Sequence, residues 1–256
     1  MNVSLPTPAE RLVTLLAAEI HEGAVVATGV ASPLPILAIE LARRTHAPNL
    51  TYLACVGSMN PRIERLHGST EDLAYLEGRT MEVSIADLFD HARRGRVDTI
   101  FFGAAEVDGC GRTNLSAAGS LEAPTVKFPG VAGACSLRRW AKKPVLVVPR
   151  QGRRNLVERV QVASTQDARP TRMVTDLGVF ELSPEGACLT ALHDDVPLAV
   201  VRERTGFSFT VRRELELPSP ISAAMLEALR AIDPLNLRDA LVGGYSNLTP
   251  GKSVRP

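Results

Sequence analysis

The sequence predicts an α/β fold, an open and mainly parallel sheet with flanking helices, on three observations. Segments with helical spacing of apolar residues alternate with short β-branched runs, the pattern of a sheet with helical crossovers. Glycine follows two of those runs at once, at Thr28-Gly29 and Val56-Gly57, as tight strand-to-helix turns demand. The run Asp98–Gly103 is mostly apolar without alternation, which suits a central strand buried on both faces.

Taken in order, Thr7-Pro8-Ala9-Glu10 has the form of a capping box with proline in the first helical position. A helix is expected from there through Leu12, Leu15, Leu16 and Ile20, ending at Gly23. Ala24–Thr28 reads as the first strand. Ser32-Pro33 opens a second helix, which Ala47-Pro48 breaks. Leu50–Val56 reads as a second buried strand. Residues 58–79 are polar and without period, a loop or lid with a helical turn near Thr70–Leu76. Ile85–Ala92 is helical, Asp98–Gly103 a strand, and Gly109-Cys110-Gly111 the turn of a hairpin flanked by Val107 and Leu115. Gly130 to Gly133 forms a small-residue loop before a helix over Ala134–Lys142. Pro144–Pro149 and Val160–Ala163 read as strands. Leu177–Leu192 is the clearest hairpin, turning at Ser183-Pro184-Glu185-Gly186. Helices follow at Val196–Arg204 and Ser222–Ile232. Residues 1–242 read as one domain, and 243–256, polar and rich in turn formers, as a flexible tail.

The 256 residues carry 29 basic and 28 acidic side chains, a net charge of +1. A nucleic-acid binder shows a basic excess, so that class is disfavoured. Aromatics are 4%, too few for base-stacking platforms. No apolar run approaches the ~20 residues that span a bilayer, and MNVSLPTPAERL lacks the layout of a secretory signal, so a cytoplasmic location and no membrane partner are expected. The cysteines at 55, 110, 135 and 188 and the five histidines fit no metal-ligand spacing, so no metal is expected. GxGxxG, Walker A and G-x-S-x-G sequences are all absent. What remains are glycine junctions at strand ends, where open α/β sheets place their ligands. Gly29, Gly57 and the small-residue loop from Gly130 to Gly133 are the candidate ligand-binding junctions, to which the resemblance given next adds Ala134 and contact with substrate.

FFGAAEVDGCGRTNLSAAGSLEAPTVKFPGVAGA (Phe101–Ala134) resembles the GAxQVDxxGNxN…PxxxxPGxGG segment of the beta subunits of family I coenzyme A transferases, glutaconate type. APNLTYLACVG (Ala47–Gly57), NLVERVQVASTQ (Asn155–Gln166), MVTDLGVFEL with its hairpin (Met173–Leu192) and VRERTGF (Val201–Phe207) agree in the same order. Ser116–Thr125, Leu177–Phe180 and Ile232–Asp239 are also close in pattern to the beta subunit of the steroid ring-opening CoA-thioester hydrolases. The resemblance implies the CoA-transferase beta-subunit fold and an enzyme acting on an acyl-CoA thioester. It implies CoA transfer, or hydrolysis including ring-opening C–C cleavage, together with a separate alpha-type subunit. Coenzyme A would be part of the substrate, with no metal. The loop from Gly130 to Ala134 would lie near the thioester, where backbone N–H groups stabilise an oxyanion.

In the family so resembled, a glutamate written E-x-G just after the second strand attacks the thioester. Here the trio is Cys55-Val56-Gly57. Three readings of Cys55 stand open: a small buried hydrophobe, a thiolate nucleophile forming an acyl-S-enzyme, or a binding or gating group. A thiol forms no carboxylic anhydride, so an alternative is a non-catalytic beta subunit that completes the pocket. Glu106 stands where the pattern carries glutamine. It is either a general base or a solvent-exposed hairpin residue. Asp108 and Asn114 are expected to brace that hairpin through side-chain-to-backbone bonds. Arg138, Arg139, Lys142 and Lys143 are expected on a solvated helix face, or else against CoA phosphates or an acidic partner. The same holds for Arg150, Arg153 and Arg154. Trp140 is expected to pack.

Overall fold

The computed structural model describes residues 5–193, 196–216 and 220–243. The chain runs α1 (Pro8–Ala18), β1 (Val25–Thr28), α2 (Pro33–Arg44), β2 (Thr51–Ala54), β3 (Ser58–Met59), β4 (Met81–Glu82), α3 (Ile85–Arg93) and β5 (Thr99–Phe102). It continues through β6 (Glu106–Val107), β7 (Thr113–Asn114), β8 (Ala117–Gly119), β9 (Pro124–Lys127), α4 (Ala134–Trp140), β10 (Lys143–Val148) and β11 (Thr171–Thr175). The last elements are β12 (Gly178–Ser183), β13 (Gly186–Leu192), α5 (Leu198–Glu203), β14 (Phe209–Glu216), α6 (Ala223–Ile232) and α7 (Leu237–Leu241).

Ten strands form one sheet in the order β14-β13-β12-β11-β10-β5-β1-β2-β3-β4. Its centre, β11-β10-β5-β1-β2, is parallel throughout. Short antiparallel strands finish one edge and the hairpin β12–β13 begins the other. From β1 the chain moves outward to β2, and from β5 it moves the opposite way to β10 and β11. The winding therefore reverses between β1 and β5. A parallel pair needs a crossover on a face, so the reversal sends helices to both sides. Helices α1, α2 and α6 pack one face with Leu12, Leu37, Ile39 and Leu229. Helices α3, α4 and α5 pack the other with Leu88, Leu137 and Val201. All four residues of β5 are buried, the reason that run shows no polar alternation.

The capping box at Thr7 forms in both directions, Thr7 Oγ1 accepting from the Glu10 N–H and Glu10 accepting from the Thr7 N–H. Glu10 does more than cap. It is fully buried, and it accepts from Arg238 Nη2 at 2.8 Å and Arg230 Nε at 2.7 Å. Arg238 Nη1 reaches Asp233 at 2.9 Å, and Asp233 accepts the first N–H groups of α7. The N-terminal helix is thus tied to the C-terminal pair through one buried ionic cluster. Burial alone would raise the Glu10 pKa. The bonds from Arg230 and the Thr7 N–H, with the charges of Arg238 and Arg230, hold it below the usual glutamate range.

Several expected boundaries shift. Helix α1 stops at Ala18, and Gly23 (φ +72°) serves the turn into β1 instead. Strand β2 ends at Ala54, leaving Cys55 in the following turn. Val160–Ala163 is not a strand. Its first two donors are taken by buried carboxylates, Asp108 accepting the Val160 N–H at 3.4 Å and Glu106 the Gln161 N–H at 3.2 Å. Strands β11 and β14 and helix α7 are additions. The expected tail lies outside the described residues from 244 onward. Among the described residues no helix is long and apolar enough to cross a membrane.

Arg238→Met leaves buried Asp233 without its cation and Glu10 with Arg230 alone, and should lower unfolding free energy by about 3 kcal/mol in urea titrations at neutral pH. Because the Glu10 pKa is depressed in the folded chain, its contribution is present above the unfolded value of about 4.3. It is lost as pH falls through the folded value, so the stability gap between the natural chain and Glu10→Gln should narrow on acidification.

Candidate functional site

The reversal between β1 and β5 leaves a crevice beyond their carboxyl ends, and a cavity of about 340 Å³ lies there. Thr28, Gly29 and Val30 come to it from β1, Phe102 and Gly103 from β5, and Cys55 from the turn after β2. Helix α3 adds Leu88 and Phe89 as a wall. The Gly130–Ala134 loop and helix α4, with Leu137 and Arg138, close another side. The surface is mostly carbon.

Each loop is held by named bonds. The Gly29 N–H donates to the Phe101 carbonyl at 3.2 Å, continuing the β1–β5 ladder past the last strand residue. Ala31 takes a left-handed backbone (φ 53°), and its N–H donates to Thr70 Oγ1 at 2.8 Å. The polar stretch before β4 therefore straps the Gly29–Ser32 loop from behind. Gly133 is required by close approach, since a Cβ there would lie 2.6 Å from the Phe89 ring. The Gly130 N–H donates to the Leu115 carbonyl at 2.8 Å, anchoring the loop to the end of the β6–β7 hairpin.

Cys55 is half-buried, with its Sγ 3.6 Å from the Gly29 carbonyl. Burial pushes its thiol pKa up to about 11, and the charge of Glu71 adds to the rise. At neutral pH the sulfur is therefore a neutral S–H group. That geometry gives no support to an activated thiolate, which needs a cationic or helix-terminal environment.

Of the positions expected to bind substrate, Gly29, Gly130, Gly133 and Ala134 line the cavity with Cys55. Gly57 does not. Its φ of +108° shapes the turn that delivers Cys55, and its carbonyl accepts the Val83 N–H at 3.0 Å. Glu106 also lies off the cavity wall. The solvent-exposed reading of it is overturned: it is 7% exposed and accepts from Asn114 Nδ2 at 2.8 Å and from the Gln161 N–H. Asp108 braces the hairpin turn by accepting the N–H groups of Cys110 and Arg112, and Asn114 accepts those of Ser116 and Ala117. Trp140 packs edge-to-face on Phe89.

Arg138 corrects its expectation outright. It is 2% exposed, not on a solvated face. Its guanidinium donates to Thr165, Gly111 and Thr171, and burial lowers its pKa to about 10. No sequence period marks it, because α4 is only seven residues long and its neighbour Arg139 is exposed. A second cavity, about 220 Å³, shares Phe102 and Gly103 with the first and extends past Ser32 and Pro33 toward the end of β10. Among the described residues no group of three or more His, Cys, Asp or Glu side chains is placed to hold a metal ion.

A sequence model described as coenzyme A transferase matches residues 9–202. The chain is 28% identical over 244 residues to the B component of 3-oxoadipate CoA-transferase from Pseudomonas knackmussii, covering 88% of this chain and 92% of that one. It is 23% identical over 254 residues to the B component of glutaconate CoA-transferase from Acidaminococcus fermentans, covering 89% and 93%. Among solved structures it is similar to a chain of the decarboxylase AibA/AibB, with 61% identity, a TM-score of 0.92, and coverage of 94% of this chain and 100% of that one. That decarboxylase is also solved with one cysteine replaced by valine, asparagine, alanine or serine.

A thiol with a pKa near 11 reacts slowly with alkylating reagents. At pH 7.5 iodoacetamide should modify exposed Cys135 before Cys55, whose own rate should climb as pH rises toward 11. Peptide mapping over time checks this, and rapid labelling of Cys55 would contradict the neutral-thiol description.

Proposed function

The chain belongs to the coenzyme A transferase family as a beta-type subunit, and from that membership we propose that it forms, with an alpha-type subunit, an enzyme that releases carbon dioxide from an acyl-CoA thioester. The observation that carries the reading is Cys55: a neutral thiol in a carbon-lined cavity, where the resembled family has an attacking glutamate. A thiol cannot carry the acyl-anhydride route of CoA transfer. The 61% identity to a chain of the decarboxylase AibA/AibB supports the choice of decarboxylation among C–C cleavages.

The chemistry sets the substrate class. The bond between the carboxyl carbon and its neighbour breaks, carbon dioxide leaves, and the electron pair passes onto the chain. That pair must be delocalised into the thioester carbonyl. The carboxylate therefore sits β to that carbonyl, or further out and conjugated to it through a double bond, and the product is an enolate or dienolate that takes on carbon a proton supplied by solvent water. Two of the relatives are named for dicarboxylic acids, 3-oxoadipate and glutaconate, which supports an acyl group with a second carboxylate.

The residues suit that step. A carboxylate is strongly solvated in water, and a cavity walled by Ile100, Phe102, Leu88 and Phe89 removes that water while charge spreads into the conjugated system. A glutamate at position 55 would set a second negative charge against the substrate's own; Cys55 sets none and leaves volume for it. We assign Cys55 contact with the substrate, the Gly130–Ala134 loop backbone the thioester oxygen, and Glu106 the positioning of the hairpin that anchors that loop. Exposed Val30 and Ile85 at the cavity mouth suit cover by the alpha-type subunit.

The test is the co-expressed two-subunit complex incubated with glutaconyl-CoA, followed by mass spectrometry of the thioester and by measured carbon dioxide. Loss of carbon dioxide without any protein adduct is expected. Cys55→Glu should lower kcat/KM at least about a hundredfold, because it places like charges side by side. Transfer of CoA to added acetate with no carbon dioxide formed would overturn the reading.

A further inference from the structure

Among the described residues, Arg138 is a buried cation without an ion-pair partner. Its three hydrogen bonds all end on neutral oxygens: Thr165 Oγ1 at 2.9 Å, the Gly111 carbonyl at 2.8 Å and Thr171 Oγ1 at 3.0 Å. A guanidinium has five N–H donors, so two are unmatched, and Nε is one of them, buried with no acceptor. The nearby anion, Asp167, favours the guanidinium through space, but it is bonded to Arg169 at 2.7 Å, whose own charge opposes that of Arg138. A buried charge is costly unless an opposite charge meets it. A clamp between α4, the β6–β7 hairpin and β11 needs only neutral donors to bond these three acceptors, so the charge itself calls for another explanation.

The position supplies one. Arg138 borders the cavity that holds Cys55, and its guanidinium carbon lies 5.5 Å from the centre of the Phe102 ring, which lines the same cavity. The charge therefore stands beside the aromatic wall of the cavity, while much of the contact surface stays apolar. Resting on the decarboxylase reading, we propose that Arg138 is the specificity-determining cation for the substrate carboxylate, admitting acyl groups that carry a free carboxylate and disfavouring those that do not.

The reaction conserves charge in the acyl group. One negative charge is present before cleavage as carboxylate and one after it as enolate or dienolate. A cation at a fixed place near both stabilises ground state and transition state alike, so its effect falls on binding more than on kcat. This also removes a conflict: a direct bidentate grip on the carboxylate would hold it as carboxylate, whereas a charge beside the aromatic wall does not.

Binding of three non-reacting thioesters to the two-subunit complex tests this by calorimetry: glutaryl-CoA, its terminal amide, and butyryl-CoA. The natural complex should bind glutaryl-CoA on the order of tenfold or more tightly than the other two. Arg138→Lys should keep part of that preference and Arg138→Met should erase it, with butyryl-CoA binding unchanged; in turnover of glutaconyl-CoA the same variants should change KM more than kcat. Equal binding of all three by the natural complex overturns the inference without recourse to a variant, and leaves the acyl-CoA reading standing. Failure of every thioester to bind sinks both. If Arg138→Met does not assemble, the amide comparison and Arg138→Lys still decide.

Discussion

The reversal of winding between β1 and β5 is the constraint on which the rest depends. Parallel neighbours require crossovers of fixed hand, so a chain that moves outward from β1 in one direction and from β5 in the other must put its helices on opposite faces. The two strand ends then have no crossover passing directly over them. The crevice is a consequence of topology before any side chain is specified. What the sequence adds is the furnishing of that crevice. Glycine continues the backbone past β1, a tight turn after β2 brings in Cys55, and a glycine at 133 lets Phe89 press against the loop.

A crevice made of loops is only as well defined as what holds the loops. Here the holding groups are mostly buried polar side chains with complete sets of partners. Thr70 holds the Ala31 N–H, Asp108 and Asn114 brace the hairpin, and Glu106 joins that hairpin to the segment at Gln161. Such groups are costly when unpaired and rigid when paired. They also bear on why an extended-looking stretch such as Val160–Ala163 is not a strand: its first two donors are spent on carboxylates. On the other face the Glu10, Arg238 and Asp233 cluster does comparable work at a distance, joining the two ends of the described chain.

The architecture is legible because its signals are local and redundant. The capping box at Thr7, the apolar run of β5, the hairpin at 183–186 and the co-linear family segments each point to the same α/β sheet. The Cys55 substitution is legible too, because a motif shows what is missing. The protonation state of that thiol is not, since it depends on burial and on Glu71, sixteen positions away in the chain. Arg138 misleads for a related reason. In a short helix a basic residue near the C-terminus looks like a solvated one, and only the approach of Gly111, Thr165 and Thr171 from three other segments shows it enclosed. Strand β14 escapes because Arg212, Arg213 and Glu214 give it the composition of a surface loop, which an edge strand shares.

The two unusual residues of the cavity make sense together. A carboxylate at position 55 with a buried cation at 138 would give the protein its own internal charge pair, and a charged acyl group would have to compete with it. With a neutral thiol at 55 the cation has no competitor at that position. On the proposed reading, the negative charge opposite the cation comes from outside, on an acyl-CoA bearing a free carboxylate. On that reading one residue after β2 does two things: it lacks the carboxylate nucleophile of the resembled family, and it adds no charge of its own to compete with the substrate's.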